Sequence, residues 1–567
     1  MSIHTRIGAC LTAVALSIAL TAVIVQPASA DVYPVPSGGT TDTRPGAHGD
    51  LTVNSTFTYS DPNEDLRRVV IDYPTGGVGN PNAIPFADRC TKETFRNSVC
   101  DNKALIGEVK ITVTAAAIAP IDLTGQIFIL QTTPEVPTEV GAYIAPTVAG
   151  VTQPIRSEAV FYPVTDGPDA DLRVRSVTAD FPRTTEILGI ETPIQVSFYQ
   201  QKLYGKLANG NVFITNPSNC GAWVSYGYLQ AYDSNTNANA DPLLTGSNDF
   251  VKTDPYPVTP DCSSLAPFNT EADAKVLGGS RGEPAQFTAE LAIPNLGAEP
   301  QSPATPKTIV TTLPDALNVD VQQLGRICTS AAFAARSCPA TTKIGTVSIT
   351  TPMIAAGLQG EAYLVQATPG HNLPDLGVIA RGAITFNLRG SNRYVNRTQI
   401  QTTFDDIPQV GFTSFNLTIA GGKNGLLLVD QCPLSGREPK DGGSTVFAMT
   451  SYQGQSRTIA SPTKYLPPSC GSYSVKLKRI TKCLKGRAFS FTPIIKSRGN
   501  VRYVKTFVLG KQVNKVKKSP FTARIKLSKK VRAGRTYKYK VKVYFKPEAK
   551  YPKGRIITRT GHFRLCR

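Results

Sequence analysis

The residues best suited to acid–base chemistry are few in this sequence, and their spacing gives them little support. Only four histidines occur, at positions 4, 48, 371 and 562. Asp405 and Asp406 are the most suggestive acids, because glycoside hydrolysis needs two carboxylates about 5 to 9.5 Å apart. Neighbouring residues of a strand, however, point to opposite faces, and a related segment has Ala179 where Asp405 stands. A secreted hydrolase that acts on polysaccharide with these two acids is the alternative to a non-enzymatic function.

Other candidate sites have simpler structural explanations. His371 lies among turn residues in Pro369-Gly370-His371-Asn372, a context that favours a solvated loop histidine over a general base. Trp223 and the tyrosines that follow it could form a sugar-binding platform. Their position beside Cys220 favours packing in a core near a disulfide instead. We predict no catalytic residue, no metal site and no cofactor.

The cysteines predict a disulfide framework. The sequence has 11 cysteines, and ten remain once Cys10 is set aside with the N-terminal segment. An even number of cysteines in an exported chain, with no Cys-x2-Cys pair, indicates disulfides rather than a metal site. Each bond would contribute on the order of 3 to 4.5 kcal/mol through loop closure. A duplication in the sequence favours the pairs Cys90–Cys100, Cys328–Cys338, Cys220–Cys262 and Cys432–Cys470, which leaves Cys483–Cys566.

This duplication divides most of the chain into two large units. Both copies begin with Cys-x9-Cys followed by an Ile-Gly strand start, and Leu123–Gln131 then corresponds to Leu358–Gln366. Short apolar or alternating runs separated by turn residues follow in each copy, a pattern typical of β-sandwiches. We predict repeat unit 1 at residues 50–262, a polar linker at 263–284 and repeat unit 2 at 285–470.

The N-terminal segment has the pattern of an export signal. Arg6 precedes an apolar run from Leu11 to Val25, and Pro27-Ala28-Ser29-Ala30 supplies a small-residue cleavage site. We therefore predict a signal peptide at residues 1–30 and, from its Pro, Gly, Ser and Thr content, a flexible lead-in at 31–49. No other stretch approaches the ~20 continuous apolar residues of a membrane span. These features predict a secreted protein without a transmembrane span, either extracellular or associated with the cell surface.

The C-terminal region, residues 471–567, differs sharply in charge from the rest. It contains 30 Lys and Arg against one acid, Glu548, whereas the remainder carries 31 basic and 40 acidic residues. Its strands alternate apolar and basic side chains, which predicts a small immunoglobulin-like sandwich closed by Cys483 and Cys566. One outer face should then be densely cationic. The residues predicted to bind polyanions there are Arg524, Lys526, Lys538, Lys540, Lys542 and Lys546.

This charge excess suggests the kind of partner. Thirty bases cannot be neutralised by one acid within the module, and such a field attracts polyanions. The expected partners outside a cell are an anionic cell-wall polymer, an acidic polysaccharide or another anionic surface. Lysines favour nonspecific contact with phosphate or carboxylate over the reading of bases, so nucleic-acid capture is a third alternative. A basic face that serves only solubility is the simplest alternative.

Several segments resemble secreted, uncharacterised repeat proteins of actinobacteria that have a basic Ig-like C-terminal module. The double Cys-x9-Cys plan, Thr402–Pro408, Gly421–Leu427 and Val508–Val513 carry this resemblance. It implies export and β architecture, and it brings no activity. We predict a mainly β protein with two homologous disulfide-stapled β-sandwich-like units and a small C-terminal Ig-like β-sandwich. Its predicted function is that of a non-enzymatic structural or binding protein of the cell envelope, docked through the basic domain.

Overall fold

The structure, a computed structural model, is mainly β, which confirms the predicted fold class. Its described residues form strands throughout and two short α-helices, α1 at Lys92–Asn97 and α2 at Ser330–Ala334. Turns of 3-10 helix lie at Pro81–Ala83, Phe86–Asp88, Asn102–Ala104, Val321–Gln323 and Ala340–Thr342. The residues that the structure describes are 32–59, 64–115, 119–133, 136–148, 151–152, 154–164, 172–187, 190–232, 250–277, 283–395, 399–423, 425–429, 443–466, 473–496, 501–546 and 553–566.

Unit 1 is one large antiparallel sheet that curls around an apolar interior. Its strand order is β1-β2-β13-β5-β6-β7-β10-β11-β3-β15-β16, with β12 on β13 and β17 on β15. Gly38 of β1 lies against the ring of Tyr256 of β17, so the two ends of the sheet meet. The strands are β1 Val32–Thr40, β2 Leu51–Tyr59, β3 Leu66–Asp72, β4 Val78–Gly79, β5 Leu105–Ala115, β6 Ile121–Ile129, β7 Thr138–Ile144, β8 Thr147–Val148, β9 Val151–Thr152, β10 Ile155–Val164, β11 Arg173–Thr178, β12 Thr184–Ile187, β13 Ile190–Leu203, β14 Ile214–Thr215, β15 Trp223–Ala231, β16 Val251–Lys252 and β17 Tyr256–Val258.

Unit 2 repeats the main strand order of unit 1, but β28 and β21 extend its sheet and β31 pairs with β18 in parallel. Its sheet has the order β21-β28-β19-β27-β22-β23-β24-β25-β26-β20-β29-β30, and β18 pairs with β19 and β31. The sheet also closes on itself, since Ser461 Oγ of β30 donates to Asp273 Oδ1 of β18 at 2.9 Å. The strands are β18 Glu271–Leu277, β19 Pro284–Ala292, β20 Pro306–Thr312, β21 Leu317–Val319, β22 Lys343–Thr351, β23 Ile354–Val365, β24 Asp375–Arg381, β25 Thr385–Val395, β26 Gln399–Phe404, β27 Ser414–Ile419, β28 Leu427–Val429, β29 Ser444–Ser451, β30 Ser456–Pro462 and β31 Lys464–Leu466.

The Cys-x9-Cys segment forms the same cap in both units. In unit 1 the cap is α1, and Phe95 packs so closely against β7 that a Cβ on Gly141 would lie 2.4 Å from its ring. In unit 2 Phe333 of α2 stands in the same relation to Gly377 of β24. Each cap begins at a bridged cysteine that pairs in parallel with the strand below, Cys90 with Leu130 and Cys328 with Val365. The duplication therefore extends to individual side-chain contacts.

Four of the five predicted disulfides lie within the described residues, and all four are present with the predicted partners. The Cα–Cα distances are 5.6 Å for Cys90–Cys100, 6.0 Å for Cys220–Cys262, 5.4 Å for Cys328–Cys338 and 5.0 Å for Cys483–Cys566. These separations are those of ordinary disulfides. The fifth predicted pair, Cys432 and Cys470, lies outside the described residues, as does the predicted signal peptide.

Parts of the two predicted connecting segments, the lead-in at 31–49 and the linker at 263–284, are strands of the sheets. The predictions that these segments are a flexible lead-in and a linker throughout are therefore wrong. Residues 32–40 form β1, which pairs with β2 over its whole length. Pro34 and Pro36 are tolerated because they are two residues apart and sit on an edge strand, where a missing N–H on the open side costs no ladder bond. In the predicted linker, residues 271–277 form β18, the first strand of unit 2.

Units 1 and 2 meet through a hydrogen-bonded interface. Ala47 and Gln301 form a β-bridge, and the buried Gln301 side chain donates Nε2 to the Pro45 carbonyl at 2.9 Å. The His48 ring contacts the carbonyls of Ile214 and Ala298 through its two nitrogens, at 3.2 and 2.9 Å. These contacts join the N-terminal segment of unit 1 to the start of unit 2.

The C-terminal module has two β layers with an apolar centre. One layer is a four-stranded sheet in the order β36-β35-β38-β39, and the pair β33-β37 packs over it through Phe489 and Phe491, which contact Tyr539. The strands are β32 Ser474–Lys476, β33 Ala488–Phe491, β34 Ile494–Lys496, β35 Val501–Val508, β36 Lys511–Val516, β37 Ala523–Lys526, β38 Thr536–Phe545 and β39 Ile556–Arg564.

Among the described residues of the whole protein, none of the helices has the length and hydropathy of a membrane-spanning segment.

Candidate polyanion-binding surface

The strands of the C-terminal module bury one row of side chains and turn basic residues outward. In β38, Tyr539, Val541 and Val543 are buried, and the alternating Lys538 and Lys540 are exposed. This is the period-two pattern of a strand with one face on the core. The module therefore presents lysine to solvent as its sequence predicts.

The six predicted polyanion-binding residues do not lie on a single face. Lys538, Lys540 and Lys542 lie on the outer side of the four-stranded sheet, and Lys546 follows β38 directly. Arg524 and Lys526 are exposed on β37, in the opposite layer, whose inner residues pack toward β38. Sequence alternation shows which side of its own strand a residue takes, but not which layer the strand joins. The cationic surface is consequently divided between the two outer faces of the module.

The outer side of the four-stranded sheet also carries aromatic rings. Tyr503 of β35 pairs across the sheet with Tyr544 of β38, and their ring centroids are 4.5 Å apart. Lys505 pairs across the sheet with Lys542, and Phe507 with Lys540. Lys515 pairs with Lys505, so all three lie on this side. We call this surface the aromatic–basic face, and it comprises Tyr503, Lys505, Phe507, Lys515, Lys538, Lys540, Lys542 and Tyr544.

Ammonium groups lie over the rings of this face. Lys515 Nζ is 4.7 Å from the Tyr503 ring centroid, and Lys505 Nζ is 5.6 Å from Tyr503 and 5.7 Å from Tyr544. Lys542 Nζ lies 5.5 Å from the Phe507 ring. All four distances are within the range of cation–π attraction. Sequence reasoning missed these rings, although the alternation of residues 501–508 could have revealed them.

The acid pair Asp405 and Asp406 has no enclosed site. Both residues are exposed at a bend after β26, and the Asp406 side chain is 82% exposed with Lys307 Nζ 3.8 Å away. In unit 1 the corresponding Asp180 is held in ion pairs with Arg67 and Arg68. Both carboxylates therefore face water, whereas a pair that acts as acid and base needs two different surroundings.

Two cavities lined by described residues were candidates for a pair of acids, and neither contains one. The most apolar cavity, about 170 Å³, lies inside the sheet of unit 2 among Leu, Ile and Phe side chains. A polar cleft of about 380 Å³ lies on the outer side of the same sheet, and its one lining carboxylate, Glu361, is paired with Arg381 at 2.6 Å. Glycoside hydrolysis needs two carboxylates. Neither place supplies them.

The remaining candidate residues are in structural positions. Trp223 is buried and donates Nε1 to Asn219, and His371 is exposed in a loop. Sequence reasoning overlooked Gly278-Gly279-Ser280-Arg281-Gly282, which has the Gly-x-Ser-x-Gly spacing of a nucleophile elbow, a turn between a strand and a helix. It lies outside the described residues, between β18 and β19, which are neighbouring antiparallel strands. In the described part of the chain, no three His, Cys, Asp or Glu side chains group as metal ligands.

Comparisons with known proteins do not place the chain in a family. No protein-family model matches it, and no curated protein matches it. Among solved structures it is similar to the Enterococcus faecalis MSCRAMM ACE (6% identity, 95% of this chain and 96% of that chain, TM-score 0.13) and to the human desmocollin-1 ectodomain (9%, 81% and 92%, 0.14). A Salmonella alpha-2-macroglobulin matches at 8% identity over 94% of this chain and 40% of its own, with a TM-score of 0.12. TM-scores this low do not establish a shared fold with any of the three.

Proposed function

We propose that the protein is a secreted, non-enzymatic component of the cell envelope that binds polyanions through its C-terminal module. The observation that supports this most directly is the outward orientation of lysine and arginine on both outer faces of the module. Glu548, its single acid, cannot neutralise 30 bases. A field of this strength concentrates negatively charged polymers at the surface.

The two repeat units have features of a durable scaffold for this module. Three disulfides of the described residues lie within these units, and disulfides persist in oxidising compartments outside the cytosol. The units also form a hydrogen-bonded interface with each other, at Ala47 and Gln301. We infer that they carry the module rather than a catalytic centre.

The test is retention on anionic material. The full-length protein should sediment with a wall-type phosphate polymer at low salt and be released by about 0.5 M salt, where the screening length falls to about 4 Å. A variant with Arg524, Lys526, Lys538, Lys540 and Lys542 changed to serine keeps 25 of the 30 bases and should be released at lower salt than the natural chain. Four of these side chains are exposed and Lys542 is partly buried, so thermal unfolding of the variant should change little. Equal retention of both proteins would refute the proposal.

The hydrolase alternative has its own test. We expect no turnover of glycan or ester substrates by the full-length protein. Turnover that disappears in an Asp405→Ala/Asp406→Ala variant would overturn the proposed non-enzymatic function. Exposed residues at a bend can be replaced with little effect on folding, so loss of activity there would report chemistry.

A further inference from the structure

We propose that the aromatic–basic face binds single-stranded nucleic acid, with bases on its rings and phosphates on its lysines. This inference rests on the proposed polyanion binding and narrows the ligand for one of the two outer faces. The opposite face, with Arg524 and Lys526 on β37, has charge on its exposed strand positions without aromatic partners, since the neighbouring exposed residues of β33 are Ala488 and Ser490.

The aromatic rings lie on the two central strands of the sheet, where the bases of a single strand could stack on them. Tyr503 and Phe507 are on β35 and Tyr544 is on β38, the two central strands of the four-stranded sheet. All three rings are partly exposed although large aromatic side chains would gain by burial. Sheets that bind single strands stack bases on aromatic side chains of this kind, because every base has a π-face.

The lysines beside the rings have a spacing suited to phosphates. Lys538, Lys540 and Lys542 alternate along β38, so that successive ammonium stems start about 6.7 Å apart, two residues of a strand. Successive phosphates of an extended nucleic-acid strand have a similar separation. Acidic polysaccharides built from alternating disaccharides carry their carboxylates at a wider spacing. The lysine row therefore favours a polynucleotide over an acidic polysaccharide of that kind.

The cation–π contacts explain how the free face stays stable and how it would change on binding. Without a ligand, Lys505 and Lys515 have an aromatic partner instead of an acid, at 4.7 to 5.7 Å from the ring centroids. A polynucleotide supplies better partners for both groups at once, phosphate for the ammonium and a base for the ring. A polymer with phosphate alone would engage the lysines and leave the rings without a ligand group.

Duplexes fit this face less well. Bases of a double helix are stacked and paired, so their faces are closed to Tyr503 and Tyr544. The described strands of this layer also present a sheet face, whereas groove reading needs an element that projects into the groove. We expect a duplex to bind through phosphate contacts only.

The experiment compares ligands and faces on the full-length protein. Fluorescent oligothymidylate of 20 nucleotides, a duplex of equal length, polyphosphate and a uronic-acid polymer are titrated at the same salt concentration. Tyr503→Leu/Tyr544→Leu should weaken oligothymidylate binding roughly tenfold per ring lost and leave polyphosphate binding unchanged. Arg524→Ser/Lys526→Ser, on the opposite face, should weaken the binding of all four ligands by the same factor, and by less than the tyrosine variant weakens oligothymidylate binding.

A second variant guards against misfolding of the first. Lys538→Ser/Lys540→Ser/Lys542→Ser keeps the rings and should lower the slope of log affinity against log salt for oligothymidylate by about 2, at 0.7 per phosphate contact. An unchanged slope, or equal binding of all four ligands with no effect of the tyrosine variant, overturns the inference while polyanion binding stands. Ring-dependent binding of the uronic-acid polymer alone also overturns it. If no polyanion binds, the proposed function fails as well.

Discussion

At the scale of single residues, the duplication shows how one position can carry different chemistry in the two copies. Arg175 and Asp72 form a fully buried ion pair across β11 and β3, with Arg175 Nε 2.6 Å from Asp72 Oδ1 and both side chains 0% exposed. The equivalent positions in unit 2 are Gln401 and Thr312, joined by a neutral hydrogen bond of 3.0 Å. The two pairs differ in their surroundings, because Gln401 and Thr312 are only partly buried and Gln401 Oε1 also accepts from Arg393.

This equivalence predicts the effect of substitutions in unit 1. Asp72→Thr alone should destabilise unit 1 by about 3 to 5 kcal/mol, because it leaves the Arg175 charge buried without its carboxylate. The double variant Asp72→Thr/Arg175→Gln, which copies unit 2, should recover most of that loss. Chemical denaturation followed by the fluorescence of Trp223, the single tryptophan and buried in unit 1, measures both. A double variant as unstable as the single one would contradict the prediction.

At the scale of elements, each cap is a helix too short to be stable alone and depends on what it contacts. Helix α1 has six residues, fewer than an isolated helix needs in water. It is held by the Cys90–Cys100 disulfide, by the Phe95 contact with β7 and by an ion pair from Arg96 to Glu158 of β10 at 2.8 Å. In unit 2 the position of Glu158 is Arg389, which bonds to the buried Asp375 at 2.7 Å. Arg389 also donates Nη1 to Ser330 Oγ of α2 at 3.4 Å, so strand residues of opposite charge contact the two caps.

The unit 1 cap should consequently lose stability in acid. The hydrogen bond from Arg96 holds the pKa of Glu158 below its ordinary value. Because the folded pKa is the lower one, the contribution is complete above the unfolded value of about 4.3 and is lost as pH falls through the folded pKa. Thermal melts of unit 1 by Trp223 fluorescence should therefore fall less steeply between pH 5 and pH 3 in Glu158→Gln than in the natural chain. The same acid slope in both proteins would rule out this role.

At the scale of the whole molecule, the contact between the two units decides whether they unfold together. The buried Gln301 amide of unit 2 donates to the Pro45 carbonyl of unit 1 at 2.9 Å and to the Ser264 carbonyl of the preceding segment at 3.1 Å. Beside it, Ser302 donates its backbone N–H to the Gly46 carbonyl at 2.7 Å. An interface of this kind couples the two sheets through a few well-satisfied polar groups.

Removal of the Gln301 amide should weaken this coupling. Gln301→Ala leaves the buried Pro45 carbonyl without its donor, at a cost of about 1 to 3 kcal/mol, and also removes the bond to the more exposed Ser264 carbonyl. We expect the Trp223 transition of unit 1 to move to lower temperature than the calorimetric transition of unit 2. Ser264→Ala removes only the hydroxyl that donates to Gln301 Oε1 at 3.2 Å and keeps both accepting carbonyls bonded, so it should shift the transition less. A single transition at the original temperature would show that the amide does not couple the units.

Sequence by itself determined what depends on composition and on local period: β class, the duplicated Cys-x9-Cys plan, the disulfide partners and the outward side of each lysine in β38. These follow from alternation along one strand and from matching copies, which need no knowledge of distant contacts. Only the tertiary structure decided which strands become neighbours. Strand pairing made β1 and β18 parts of sheets rather than connecting segments, and it placed Arg524 and Lys526 in the layer opposite Lys538. It also brought Tyr503 beside Tyr544, since two residues 41 positions apart meet only when β35 and β38 pair.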